Sequence, residues 1–490
     1  MGAVLVLANS ICFMMLAHAW ARSVYSASRT ATVRRIRYID NHELANPRPL
    51  AADEVYHLFL SHSWVSGQDT MRIVKQRLLE MMPTLSVFLD VDEDFEIGQL
   101  ERYIGQSQVV LISCTDGYFT SKNCMREFTQ TIEDGKPIIA ILDPTNKQAG
   151  LSVEDVRELV LEHDSARGAH HFERLLSEPP LEWNRLGIFQ DVTLKLIAER
   201  LLPEPRIQRA VRAASHVDRT CIYYSGEHER LRQSPHVPVP RDGKAFHVFA
   251  SRHNQGARSL IAELNSHVLA RHNPRHHTRA RNNRHLLQAL RHSSLRDTVR
   301  ASHFRLSRQS SRHSRRQTEK AAEEPPSELR ASAEGAAGDA ELRDGKEDAI
   351  RCTSSASKMH ECEYMLIYLT DQTWMVGPEK TQLVADIAQA MINNVPLLMV
   401  HEAPGIDLGK RHACMFDLFF GKQATPLVLQ KAGIYDTLAL TLTCNPWRPT
   451  SFSLVLQRLA KEPKRPRPHG RRMVALLEQT MVDAGRVPPS

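Results

Sequence analysis

This 490-residue chain has few cysteines and no glycine-rich phosphate-binding loop. Each of these two features argues against a class of protein. The eight cysteines form no Cys-x-x-Cys pair and follow no regular spacing, which disfavours a disulfide scaffold and a zinc site and favours a reducing compartment. Without a P-loop, the sequence gives no support to nucleoside triphosphate hydrolysis. The histidines lack paired spacing on one helix face, so we expect no metal.

Charged side chains are absent from residues 1–21, although five arginines follow within residues 22–37. An uncharged run of about 20 residues is just long enough to span a bilayer as a helix. By the positive-inside rule, the arginines place everything downstream in the cytosol. We therefore predict a membrane anchor over 1–21 and a basic juxtamembrane segment over 22–50. A cleaved signal peptide, a buried helix or a mispredicted start are the alternatives.

Most of the positive charge lies in one segment. Residues 271–320 hold thirteen arginines and one lysine against Asp297 and Glu319, a local excess of 12 in a chain whose net charge is +7. The rest of the chain is therefore mildly acidic, at −5. This basic run and the Ala/Glu-rich run after it lack the apolar residues to build a core, so we predict a disordered insertion over 271–355.

Three short apolar runs, each followed by a helical pattern, indicate buried parallel strands: Leu58–Leu60, Val109–Ile112 and Ile138–Leu142. A series of strands and helices predicts an α/β fold with a central parallel five-stranded sheet of the flavodoxin-like type, flanked by helices. We place its fifth strand at 181–185 and a closing helix at 187–202, before Pro203. Ligands of such sheets bind beyond the carboxyl ends of the strands. The loops at that edge are predicted to be Ser61–Gln68, Asp90–Gly98 and Ser113–Cys124.

The same stretch resembles the Toll/interleukin-1 receptor (TIR) domain family. FLSHS at 59–63 is similar to its first box, GQDT at 67–70 to the opening of its first helix, and 92–107 to its second loop and helix. Tyr118, Ser121, Cys124 and Glu127 match the third helix of plant-type members, and the overall likeness is to TIR proteins of unicellular algae and other protists. An acidic DVDEDFEIG replaces the arginine-aspartate and proline-glycine pair of animal adaptor TIR domains. The resemblance implies a TIR domain over 51–205, followed by a linker over 206–244.

The resemblance also implies a catalytic residue and a substrate. Glu127 matches the glutamate with which NAD-cleaving TIR domains break the nicotinamide–ribose bond, so NAD is expected as substrate and no cofactor is expected. The alternative is a solvated helix charge balanced by Arg126 or Lys122. The substrate-binding candidates lie on the three loops: Ser61, His62, Trp64, Asp92, Gly98, Ser121 and Cys124. His62 and Trp64 are equally compatible with a packing role, and the acidic loop with a solvated charge run.

An internal repeat predicts a second, degenerate TIR-like module over 245–460, with a tail over 461–490. FHVFASRHNQG at 246–256 is similar to the first strand and helix, and residues 364–400 are similar to the third strand with the helix and strand after it. We align 432–440 with 187–195 and find no obvious second strand. With Pro396 aligned to Pro137, Asp386 falls on Glu127. The shorter side chain predicts a structural or regulatory role for this module.

Two functions remain open. The first is a membrane-anchored, cytosol-facing signalling protein whose TIR domains self-associate and cleave NAD. The second is a non-catalytic scaffold that recruits other TIR proteins by homotypic contact. For the arginine-rich segments, contact with the inner membrane leaflet and a solvated linker stay open as alternatives. We expect no nucleic acid partner, because aromatic residues do not alternate with the arginines.

Overall fold

The computed structural model describes residues 13–16, 18, 33–92, 99–143, 149–204, 220–227, 237–272, 350–406, 410–421, 424–463 and 469–486. The chain divides into two compact units: Leu269–Glu347, and the remainder, which is Met1–Val268 together with Asp348–Ser490. Nearly all of Leu269–Glu347 lies outside the described residues. The remainder holds two α/β domains, which we call the N-domain (33–227) and the C-domain (237–486). The predicted insertion over 271–355 lies mostly outside the described residues.

The N-domain alternates strands and helices as the apolar runs predict. Its strands are β1 (Ile36–Tyr38), β2 (Tyr56–Ser61), β3 (Val87–Phe88), β4 (Ser107–Cys114), β5 (Ile138–Leu142), β6 (Leu181–Glu182) and β7 (Ile222–Tyr224). Its helices are α1 (Gln68–Met81), α2 (Leu100–Gly105), α3 (Asp116–Thr120), α4 (Lys122–Glu133), α5 (Val153–His163), α6 (Gly168–Leu175) and α7 (Gly187–Leu201). All three strands predicted from apolar runs are present, and so are the fifth strand and the closing helix.

The central sheet of the N-domain is parallel, in the order β3-β2-β4-β5-β6. Numbered within the sheet this is 2-1-3-4-5, the flavodoxin-like order, whose ligand crevice lies at the carboxyl ends of the first and third strands. Those strands are β2 and β4, which pair with Phe59 opposite Val110. The predicted α/β fold class is thereby confirmed.

Helices cover both faces of this sheet, so successive strand residues enter two different cores. Leu58 and Leu60 pack with residues of α1 and α7, whereas Phe59 packs with residues of α2 and α4 on the opposite face. This two-sided burial explains why the strands show no polar alternation in the sequence.

A small antiparallel sheet pairs β1 with β7, Ile36 lying opposite Tyr224. Here the structure differs from the sequence assignment, which gave 22–50 to a juxtamembrane segment and 206–244 to a linker. Ile36 and Ile222 are buried in the core beneath α1 and α7, while Arg37 on the other face of β1 is only partly covered. Each strand has only three residues, and Arg37 interrupts the apolar residues of β1, so neither strand forms an apolar run long enough to be recognised in the sequence.

The C-domain has a second sheet of the same kind. Its strands are β8 (Phe246–Ala250), β9 (Cys352–Thr353), β10 (Cys362–Leu369), β11 (Leu397–Glu402) and β12 (Leu440–Leu442). Its helices are α8 (Ala257–His272), α9 (Pro378–Ile392), α10 (Leu427–Lys431), α11 (Arg448–Ala460) and α12 (Arg471–Asp483). All strand pairs are parallel, in the order β12-β11-β10-β8-β9, again 2-1-3-4-5.

Three details of the predicted second module are corrected by this topology. The second strand is present, because β9 pairs with β8; its residues Cys352 and Thr353 lie within the stretch predicted as a disordered insertion over 271–355, so the end of that prediction is wrong. The segment 432–440 leads into β12, so the counterpart of α7 is α11 and not that segment. The assigned tail contains α12, which packs on α9 and buries Leu477 and Met481 in the core.

The described residues include no helix that combines the length and the apolarity needed to cross a bilayer. Of the predicted anchor over 1–21, only residues 13–16 and 18 are described. The membrane anchor therefore stays a prediction.

Candidate functional site

Glu127 lies on the buried face of α4, beside the carboxyl ends of β2 and β4. The helix begins at Ser121, whose side chain accepts a hydrogen bond from the Cys124 amide at 3.4 Å, as a helix cap does. Cys124, Phe128 and Thr131 share its buried face at helical spacing. Glu127 itself is only 8% exposed, so the alternative of a solvated helix charge is excluded.

A chain of hydroxyl groups holds the Glu127 carboxylate. The Ser61 hydroxyl, at the end of β2, donates to Glu127 Oε2 at 2.5 Å. Since a serine hydroxyl has one proton, Tyr118 is the donor in its 2.6 Å contact with Ser61 Oγ. Tyr118 is fully buried in the core, so it holds the Ser61 hydroxyl in place, and Ser61 in turn orients the Glu127 carboxylate.

Burial dominates the electrostatics of this carboxylate. It raises the pKa of Glu127 to about 8; the charge of Asp90 acts in the same direction, while the Ser61 hydrogen bond opposes the rise. At neutral pH the free protein therefore holds Glu127 mainly as the neutral acid. No arginine, lysine or histidine in the described part of the chain forms an ion pair with it. Positive charge brought beside Glu127 would favour its ionised form.

Two further polar atoms near the ends of β2 and β3 lack partners. His62 Nε2 and Asp90 Oδ1 are buried without a hydrogen bond in the described structure, and they lie 3.8 Å apart. Burial lowers the pKa of His62, which the Asp90 charge partly offsets, so the ring is neutral at pH 7. Trp64 Nε1 donates to Asp90 Oδ2 at 2.5 Å, and Trp64 is 58% exposed. Trp64 thus offers an exposed ring next to Asp90, whose Oδ1 lacks a hydrogen bond, as does His62 Nε2.

The structure brings most of the predicted site residues together. Cys124 Sγ contacts the His62 carbonyl oxygen at 3.3 Å, which ties α4 to the loop after β2. Burial raises the pKa of the Cys124 thiol to about 12, so this cysteine is an inert packing group and no nucleophile. Asp92 ends a short 3₁₀ turn after β3, and Gly98 lies outside the described residues.

Sequence reasoning missed the parts played by Asp90 and Tyr118. In the sequence Asp90 is one of several acidic loop residues, although it lies two residues after the second strand of the sheet and therefore at the ligand edge. In the sequence Tyr118 is recognisable only as a motif position. No spacing rule connects its hydroxyl to Ser61, 57 positions earlier.

The C-domain repeats the same arrangement at the position that the internal repeat assigned to Glu127. Ser251, which follows β8 as Ser61 ends β2, donates to Asp386 Oδ2 at 2.5 Å. Asp386 lies on α9, after the third strand of its sheet, and is buried. The two carboxylates therefore occupy equivalent places in the two sheets.

Their electrostatic surroundings differ in one respect. Asp386 forms an ion pair with Arg486, which follows α12 near the end of the described chain. Arg486 Nε also donates to Gln382 Oε1 at 2.9 Å, and Gln382 Nε2 donates to the Ala484 carbonyl oxygen at 2.9 Å. In the C-domain the buried carboxylate is thus already paired with a cation of the same chain, Arg486.

The N-domain arrangement is suited to stabilising positive charge that arrives with a ligand. A preoriented, desolvated carboxylate interacts strongly with a developing cation, as in glycoside cleavage through an oxocarbenium ion. Within the described residues no group of three or more histidine, cysteine, aspartate or glutamate side chains is arranged to hold a metal ion.

Comparison with solved structures finds chains that are similar to this one. The chain is similar to the solved structure described as the activated Roq1 resistosome directly recognizing the pathogen effector XopQ (TIR domains), at 14% sequence identity and a TM-score of 0.24. The match covers 30% of this chain and 100% of that chain. At that TM-score we draw no conclusion from it. No family model matches the chain, and no curated protein matches it.

Proposed function

We propose that the N-domain is a TIR-type signalling domain that cleaves NAD at the nicotinamide–ribose bond when copies of it associate. The observation that carries this proposal is Glu127: a buried carboxylate, oriented by Ser61, at the ligand edge of the sheet and without an ion-pair partner among the described residues. The family resemblance of the sequence supplies the substrate.

The chemistry requires little beyond that carboxylate. Nicotinamide in NAD is attached as a cationic pyridinium, so it leaves as a neutral molecule that takes the electrons of the broken C1′–N bond. No general acid is needed. The positive charge passes to the ribose as an oxocarbenium ion, which Glu127 stabilises, and water then adds to C1′ and loses a proton.

The ionisation state of Glu127 fits this sequence of steps. A carboxylic acid with a pKa of about 8 is neutral in the empty site, but the pyridinium cation favours its ionised form when NAD binds. The C-domain offers a parallel: the matching carboxylate there is paired with the cationic guanidinium of Arg486. The neighbouring His62 Nε2 and Asp90 Oδ1 are free to bind ribose hydroxyl groups, and the exposed Trp64 ring to stack on a base.

Nicotinamide release by the full-length protein tests the proposal. Glu127→Gln keeps the shape but removes the charge, and we expect a loss of about a hundredfold in rate, as for other lost transition-state contacts of this kind. Glu133→Gln, on the exposed end of α4, and Asp386→Asn are matched controls that should retain activity. Because association is part of the proposal, the assay includes a form fused to an oligomeric carrier. Equal rates for the wild type and Glu127→Gln would refute the assignment.

A non-catalytic scaffold is the second candidate. It is favoured by the C-domain, which retains the whole sheet and the equivalent carboxylate although Arg486 occupies the site. A wild-type protein that binds other TIR domains but releases no nicotinamide, even when fused to the oligomeric carrier, would establish the scaffold instead.

A further inference from the structure

Two buried polar atoms at the ligand edge of the N-domain have no hydrogen-bond partner in the described part of the chain: His62 Nε2 and Asp90 Oδ1. They lie 3.8 Å apart, and their side chains are 1% and 12% exposed. His62 directly follows β2, and Asp90 lies two residues after β3, so both belong to loops at the carboxyl ends of strands. A buried polar group without a partner costs free energy, so the pair requires an explanation.

Both atoms are hydrogen-bond acceptors. His62 Nδ1 contacts the Leu60 carbonyl oxygen at 3.4 Å. A carbonyl oxygen only accepts, so Nδ1 carries the proton of the neutral ring and Nε2 presents its lone pair. Burial lowers the pKa of His62, which favours this neutral ring. The Asp90 carboxylate also only accepts, and its Oδ2 already receives the Trp64 N–H at 2.5 Å. Two acceptors cannot bond to each other, so a group that brings two donors is needed to satisfy both.

Two neighbouring hydroxyl groups have the required chemistry, because each can donate its proton to one acceptor at ordinary hydrogen-bond length. In the proposed reaction, C1′ of the ribose lies at Glu127, and the carbon that carries the 2′-hydroxyl is bonded to C1′. Asp90 is near enough to Glu127 for its charge to contribute to the raised pKa of that carboxyl. The 2′- and 3′-hydroxyl groups of the same ribose are therefore within reach of the acceptor pair.

We propose that His62 and Asp90 form a subsite for the cis-diol of the nicotinamide ribose, and that Asp90 makes the site select ribose over 2′-deoxyribose. This inference rests on the proposed function for the position of the ribose. Because both atoms are shielded from solvent, a neighbouring side chain has to move when the ligand enters. Trp64 is placed for this: it is 58% exposed and is joined to Asp90 by a hydrogen bond that an incoming hydroxyl group can replace.

Calorimetric titration of the full-length Glu127→Gln protein, alone and fused to the oligomeric carrier, tests the subsite without fast cleavage. The ligands are NAD and the NAD analogue whose nicotinamide ribose lacks the 2′-hydroxyl. The analogue leaves a buried acceptor unpaired, so it should bind at least about tenfold more weakly than NAD. Adding Asp90→Asn should weaken NAD to the affinity of the analogue and so abolish the discrimination. Asp116→Asn is the matched control, since Asp116 is exposed at the same edge, after β4, and it should preserve the discrimination.

Thermal unfolding of the same ligand-free proteins gives a second readout. The asparagine side chain can accept the Trp64 N–H with its oxygen and donate its own N–H to His62 Nε2, so the pair is satisfied without a ligand. Asp90→Asn should therefore raise the unfolding midpoint while it lowers the affinity for NAD. A purely structural role for Asp90 would give the opposite pattern, a lower midpoint with unchanged affinity.

The outcomes separate this inference from the proposed cleavage. Equal affinity for the two ligands, discrimination that survives Asp90→Asn, or a lower unfolding midpoint in Asp90→Asn would overturn the subsite and leave the pair as the holder of an internal water molecule. If a protein with Glu127 intact releases nicotinamide although the titrations show no discrimination, cleavage stands and the subsite fails. If the titrations show the discrimination but no nicotinamide is released, the subsite stands and cleavage fails. Absence of NAD binding would overturn both.

Discussion

The raised pKa of Glu127 predicts that Glu127→Gln stabilises the protein, and does so increasingly as the pH rises. The folded protein binds a proton at Glu127 more tightly than the unfolded chain, whose glutamate pKa is near 4.5. Its contribution to stability is therefore fully present below pH 4.5 and is lost as the pH rises through 8. Glutamine imitates the neutral acid and has no charge to desolvate, so it escapes this loss.

The size of the effect can be worked out from the two pKa values. A shift from 4.5 to about 8 corresponds to a free energy of at most about 5 kcal/mol, at about 1.4 kcal/mol per unit. Between pH 5 and pH 8, the advantage of Glu127→Gln over the wild type should grow by about 3 kcal/mol. Urea unfolding at both pH values, followed by circular dichroism, measures it.

Asp386→Asn is the internal control, and its effect should have the opposite sign. Asp386 is paired with Arg486 and with Ser251, so removing its charge breaks a buried ion pair and should destabilise the protein by on the order of 2 kcal/mol at pH 8. The reasoning is refuted if Glu127→Gln destabilises the protein at pH 8, or if its effect is the same at pH 5 and pH 8.

Three further predictions rest on the same contacts. If Glu127 acts as an ionised group, kcat/KM for nicotinamide release should rise with pH and level off above about pH 8, where the free protein loses its proton; a profile that is flat from pH 6 to 9 would contradict this. Arg486→Gln should destabilise the protein by on the order of 3 kcal/mol in urea unfolding, because it leaves a buried carboxylate unpaired, whereas Arg472→Gln on α12 should have little effect. Ser121→Ala should cost about 1 kcal/mol through the lost cap of α4, and Ser121→Asp, which restores a cap, should recover most of it.

The sheet of the N-domain could be predicted because its strands are buried on both faces. Val109–Ile112 and Ile138–Leu142 are apolar without interruption, and runs of that kind in alternation with helices are typical of buried parallel strands. The short strands could not be predicted in this way. Cys352–Thr353 has two residues and Ile36–Tyr38 has three, and each owes its strand geometry to the neighbour with which it pairs.

In the candidate site, too, local features could be predicted from the sequence and long-range contacts could not. Glu127 and Ser121 were predictable, because a helix cap and a buried helix face are local features of the sequence. The partners were not: Ser61 reaches Glu127 across 66 positions, and Arg486 reaches Asp386 across 100. Such pairs depend on the packing of whole elements, here α4 beside β2 and α12 on α9, which a single sequence does not encode in any local pattern.

The two carboxylates illustrate the two ways in which a folded protein tolerates a buried acid. Asp386 forms an ion pair with Arg486, a cation of the same domain. Glu127 is instead held as the neutral acid. Ionising it at pH 7 costs about 1.4 kcal/mol, one pKa unit, which the approach of a single cationic group can supply. A site of that kind responds to positive charge that arrives from outside, whereas a site already paired within the chain does not. This difference is the reason why the proposed NAD cleavage is assigned to Glu127 of the N-domain and not to Asp386.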